Sequence, residues 1–85
     1  MECRIEVDVY SDRTVVRVEG RLGSAQVPDL QQVCTGITRH LLTLDLTDLL
    51  NADVPGVEAL RQLRREGASI VGVSEYLRLK IDTTV

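Results

Sequence analysis

The 85 residues carry 10 basic and 13 acidic side chains, a net charge of −3, two Tyr and neither Phe nor Trp. A chain of this size makes one small domain with an aliphatic core, which disfavours base stacking or an aromatic ligand cage. The mixed, mildly acidic surface argues against a nucleic-acid partner, and no apolar run approaches the roughly 20 residues of a membrane span.

The chain opens on an alternating segment rather than a signal peptide, so a cytoplasmic location is expected. Residues 4–9 (RIEVDV) predict a half-buried strand with Ile5, Val7 and Val9 on one face and charges on the other. Ser11-Asp12-Arg13 supplies a turn, and residues 14–19 (TVVRVE) alternate again, so the two segments read as an antiparallel hairpin. Gly20-Arg21-Leu22-Gly23 closes it as a loop, too short and wrongly spaced for a dinucleotide or P-loop fingerprint.

A first helix is expected from Ser24 to about Thr38. It becomes regular near Val27, because Pro28 is tolerated only in a first turn. Leu30, Val33, Cys34 and Ile37 have helical spacing and form its buried face. Residues 41–46 (LLTLDL) read as a central parallel strand. Asp45 is the odd member there and needs a hydrogen-bond partner, most simply a loop backbone N–H.

The second helix starts at Asp53, whose carboxylate can accept from first-turn amides. Val57, Ala59, Leu60 and Leu63 point inward, Glu58, Arg61, Gln62, Arg64 and Arg65 outward, and Gly67 is the stop. Residues 68–73 form another apolar strand. Ser74 and Glu75 open a short last helix to about Ile81, and Asp82-Thr83-Thr84-Val85 reads as a stub of edge strand. The whole predicts an α/β fold of order β-β-α-β-α-β-α, a mixed sheet of about four strands with helices packed mainly on one face.

Chemistry is sparse. Cys3 and Cys34 have no C-x-x-C or metal-ligand spacing, and His40 is the only histidine. Cys34 falls on a helix's apolar face and His40 at a surface junction, which argues against a Cys34–His40 nucleophile pair. Neither catalysis, nor a metal, nor a cofactor is expected.

The stretches VVRVEGRLGSAQVPDL (residues 15–30) and LDLTDLLNADVPGVEALRQLRREGASIVGVS (residues 44–74) resemble the STAS domain, named for sulfate transporters and anti-sigma factor antagonists. The first is similar to that family's second strand, Gly-x-Leu loop and Pro-containing helix start. The second is similar to its strand, loop, helix and following strand. The likeness covers roughly residues 5–80 and implies a STAS-like fold with a non-catalytic, protein-binding role.

In the antagonists the turn corresponding to Asp53-Val54-Pro55-Gly56 normally reads Asp-Ser-Ser-Gly. Its first Ser is phosphorylated by a partner kinase that is also the anti-sigma factor. A phosphoryl group adds about −1.5 to −2 charges there and remodels docking. Here Asp53 and Gly56 match, Val54 stands at the acceptor position and Pro55 at the next, so no phosphorylation is expected at this turn. Thr47, the nearest hydroxyl, reads as a loop-capping residue.

The resemblance implies a partner-binding set of Leu49, Leu50, Asp53, Val54, Pro55 and Gly56. Leu49, Leu50 and Val54 either form an exposed apolar patch or fold inward as caps over the sheet. The implied partner is an anti-sigma factor of the serine-kinase ATPase type. Two alternatives are an ABC ATPase, as for small STAS accessory subunits of lipid transporters, and a small ligand or nucleotide, which the carboxylates of Asp48 and Asp53 disfavour. Family members usually continue past the third helix, so the domain reads as C-terminally shortened. Part of the sheet edge or face is then expected to be uncovered and to pair, giving a homodimer or an obligate complex within a larger assembly.

Overall fold

Alternation in the first two segments produces the expected hairpin. In the computed structural model, which describes residues 3–83, strand β1 (Cys3–Val9) pairs antiparallel with β2 (Thr14–Leu22) from Cys3↔Gly20 to Val9↔Thr14. The apolar face of β1 fades toward the turn. Cys3 and Ile5 pack against the core, whereas Val7 is 44% and Val9 78% exposed. As the outer strand of the sheet, β1 reaches past the cover that the helices give its centre.

β2 runs further than its alternation suggests. Gly20, Arg21 and Leu22 belong to the strand, not to a closing loop, because a later segment pairs with them. Strands β3 (Leu42–Asp45) and β4 (Leu49–Ala52) lie in succession along β2, both parallel to it. The register slips between Gly20 and Arg21, where Gly20 takes φ 86° and its N–H donates to the Asp48 carbonyl at 3.0 Å. A left-handed angle inside a strand is what glycine permits at a bulge. β5 (Ser69–Val71) adds to β3 in parallel, giving the order β1-β2-β3-β5 with β4 beside the end of β2. The mixed sheet therefore has five strands, one more than the pattern of the sequence predicts, because residues 49–52 carry no strand pattern of their own.

Three helices complete the fold: α1 (Val27–Thr35), α2 (Val54–Arg65) and α3 (Glu75–Asp82). Val16, Val18, Leu42 and Leu44 of the sheet share one apolar cluster with Leu30 and Cys34 of α1, Val57, Leu60 and Leu63 of α2, and Leu77 and Ile81 of α3. All the helices thus cover one face, and each buried Leu contributes about 1.5–3 kcal/mol. The opposite face carries Glu6, Asp8, Arg17, Thr43 and Asp45, with Arg17 reaching Glu6 at 2.6 Å and Asp8 at 3.5 Å.

Local signals fix most helix ends. Gly67 adopts φ 117° just beyond α2, and the Ser74 hydroxyl accepts the Leu77 N–H at 3.2 Å to cap α3. α1 stops at Thr35, short of Thr38, and Arg39 takes over its last carbonyls. The Arg39 guanidinium donates to the Cys34 carbonyl at 2.5 Å and that of Ile37 at 3.0 Å, and pairs with Glu66 at 2.7 Å. Asp82 closes α3 rather than opening a strand, while Thr84 and Val85 lie outside the described residues. No helix among the described residues is long and apolar enough to cross a membrane.

Candidate protein-docking site

The turn from β4 into α2 is built by one carboxylate and one glycine. Asp53 Oδ1 accepts the Gly56 N–H at 2.9 Å, capping α2, and Oδ2 accepts the Ser24 N–H at 3.1 Å from the loop after β2. The Asp53 N–H donates in turn to the Leu22 carbonyl at 3.1 Å. Gly56 lies flat on the same carbonyl: a Cβ there would sit 2.3 Å from the Leu22 oxygen. Asp53→Ala removes the cap and the loop tie together, so it is expected to cost about 1–2 kcal/mol, read as a lower midpoint in urea denaturation. An unchanged midpoint would mean that the carboxylate holds neither element.

This frame pushes Val54 and Pro55 outward. Val54 is 77% exposed and Leu50, on β4, is 57% exposed. Leu49 is the correction to the predicted surface: it points into the core and is 4% exposed, because its neighbour in the strand takes the outward position. Gly56 is buried as well and shapes the turn without offering contact. Of the six predicted residues, Asp53, Val54 and Pro55 are exposed together at the turn, Leu50 is exposed on β4, and Leu49 and Gly56 are buried.

Lys80 joins the site although the sequence reading did not include it. Its Nζ donates to Asn51 Oδ1 at 3.0 Å and to the Ala52 carbonyl at 3.1 Å, and stands 4.8 Å from the centre of the Tyr76 ring. Lys80 and Asp53 separate two shallow grooves. One, of about 640 Å³, runs between α2 and α3 past Val54, Val57, Arg61 and Thr83. The other, of about 300 Å³, lies toward Arg21, Gly23 and Gln26. The surface presents protruding aliphatic groups, which suit a protein contact.

The remaining candidates are occupied structurally. Thr47 donates its hydroxyl at 2.6 Å and its N–H at 3.0 Å to Asp45 Oδ1, so the loop-capping reading fits its geometry. Gly72 closes over that hydroxyl, since a Cβ would lie 2.2 Å from Thr47 Oγ1. The two Thr47 hydrogen bonds hold the Asp45 carboxyl below its ordinary value. A carboxylate lowered in the folded state stabilises the fold above its unfolded pKa, and that contribution is lost as pH falls through the folded value. Asp45→Asn is therefore expected to flatten the loss of stability below pH 3.8, measured by denaturant titrations at stepped acidic pH. Parallel acid profiles for the two proteins would refute this role for Asp45.

Cys34 is fully buried, and burial pushes its thiol pKa up. His40 lies exposed on the 3-10 turn Arg39–Leu41. An unreactive thiol sealed in the core leaves that pair without a nucleophile. Among the described residues no group of three or more His, Cys, Asp and Glu side chains could hold a metal ion.

No protein-family model matches the sequence, and no curated protein matches it. Solved structures do. The anti-sigma factor antagonist STAS domain from Rhodobacter sphaeroides is 27% identical, with a TM-score of 0.63 over 86% of this chain and 92% of that one. The anti-sigma factor antagonist SpoIIAA in its unphosphorylated form is 20% identical, with a TM-score of 0.68 over 91% of this chain and 78% of that one. A protein designated Mglu is 17% identical, with a TM-score of 0.65 over 82% of this chain, which spans 20% of the length of Mglu. The fold is that of a STAS-like domain.

Proposed function

We propose that this STAS-like domain is a non-catalytic, cytoplasmic interaction module of the anti-sigma factor antagonist type, whose contact with its partner is not switched by phosphorylation at the α2 turn. The observation that carries the reading is Val54, held outward at 77% exposure by the Asp53 cap and the Gly56 seat. Phosphoryl transfer needs a hydroxyl at that position, and a valine offers only a methyl surface. Apolar groups lifted onto a surface favour association whenever a partner covers them.

The partner is then a bacterial regulatory ATPase of the anti-sigma, serine-kinase class, and its affinity for this chain is indifferent to ATP turnover. Capture from the native cells under mild crosslinking tests this reading directly. A histidine-kinase-like ATPase among the captured proteins is the expected result. Recovery of an ABC ATPase would instead make the chain a transporter accessory subunit. Recovery of neither would overturn the docking reading, and saturable nucleotide binding would replace it with ligand sensing.

A further inference from the structure

We propose that the α2 turn docks an acidic segment of its protein partner, one that seats an apolar side chain beside Val54 and a carboxylate on Lys80. This rests on the docking reading above and adds the chemistry of the partner. Val54 and Lys80 line the same groove of about 640 Å³, whose floor is Ala52 and Val57, 2% and 8% exposed. The groove supplies the apolar seat, and its charges decide which kind of segment it accepts.

Both carboxylates of the groove are already engaged. Asp53 Oδ1 accepts the Gly56 N–H at 2.9 Å, and Oδ2 accepts the Ser24 N–H at 3.1 Å. Glu58 is shared by two guanidinium groups, Arg61 at 3.0 Å and Arg65 at 3.8 Å. A basic segment would have to displace one of these contacts to find an acceptor.

The cations are not matched in the same way. Lys80 Nζ is held by neutral groups: Asn51 Oδ1 at 3.0 Å, the Ala52 carbonyl at 3.1 Å and the Tyr76 ring at 4.8 Å. Among the described residues no carboxylate pairs with it. These contacts position the ammonium without neutralising it, and they use two of the three donors that a lysine carries. A partner carboxylate thus gains a charge-assisted bond without first ordering a flexible side chain. Arg61, Arg65 and Lys80 outnumber Asp53 and Glu58 along the groove, although the chain as a whole carries −3. The excess that attracts an acidic segment is local to the Val54 surface.

Chemical-shift titration of the isotope-labelled full chain tests this with short blocked peptides. A leucine flanked by glutamates is expected to shift the Val54, Val57 and Lys80 amides saturably. The same leucine flanked by lysines should leave them unmoved. Serine in place of the leucine should weaken the glutamate peptide about 10-fold, the loss of one buried apolar side chain. Lys80→Gln keeps a donor toward Asn51 and Ala52 but removes the charge, and should weaken binding about 5-fold.

An equal response to the lysine peptide, or no saturable response to the glutamate one, overturns the proposal. So does inorganic phosphate that reproduces the same shifts at matched concentration, since Lys80 would then be a simple anion site. The peptide series uses the wild-type chain, so it decides the sign even where Lys80→Gln fails to fold. The docking reading fails separately, through a Val54→Asp variant that keeps its partner.

Discussion

Gly56→Ala is expected to destabilise the domain by about 3 kcal/mol, the upper end of what overpacking a tight site costs. Helix propensity alone predicts the reverse, since Ala is better than Gly within a helix by about 1 kcal/mol. The steric term decides the sign. An added Cβ would lie 2.3 Å from the Leu22 oxygen and 3.2 Å from both its carbonyl carbon and its Cγ. The nearest atom is backbone, and the same carbonyl accepts the Asp53 N–H at 3.1 Å, so no side-chain rotation relieves the clash.

Relief requires the start of α2 to lift off β2, which also pulls Asp53 from Ser24. For a domain of this size, with total stability of about 4–13 kcal/mol, the loss should lower the melting temperature by more than about 10 °C. Gly36→Ala is the matched control, because nothing lies within 4 Å of the Cβ it would add and Gly36 has φ −88°. Thermal and guanidinium unfolding of the two variants compare them directly. Equal stability would mean that α2 is not seated on the Leu22 carbonyl.

The same turn shows what was legible in the sequence. Caps were readable because their chemistry is local: Asp53, Gly67 and Ser74 each act within a few residues of the helix they bound. Strand β4 was not. Leu49-Leu50-Asn51-Ala52 has no period-two pattern, and only its pairing with the tail of β2 makes it a strand. That pairing also decides which of two adjacent leucines is buried, something that identical side chains cannot signal.

The glycines around Arg21 misled for a related reason. Gly20 serves a bulge inside a continuing strand, although glycine pairs more often announce loops. Lys80 was hidden by distance along the chain, since its partners Asn51 and Ala52 are 29 and 28 residues away. The scaffold of the turn into α2 followed from local rules. Its composition depended on contacts between segments far apart.

Val54→Asp separates the scaffold from the proposed contact. The side chain is 77% exposed, so the substitution removes no core contact. Residue 54 is the first of α2, where a negative charge gains about 0.3–1 kcal/mol from the helix dipole. Repulsion from the Asp53 carboxylate opposes that gain, and stability should stay within about 0.5 kcal/mol of wild type. At an interface the same carboxylate is desolvated against whatever covers Val54. That should weaken binding to the captured partner by about 30-fold or more, near 2 kcal/mol.

A phosphoryl group at this position would act through the same electrostatics, so the variant imitates a permanently switched form of a surface that lacks the switch. Calorimetry against the partner, beside a denaturation curve, reads the two effects independently. Native stability with lost binding places the contact at the α2 turn. Undiminished binding would move the contact elsewhere on the domain and leave Val54 as an ordinary exposed valine.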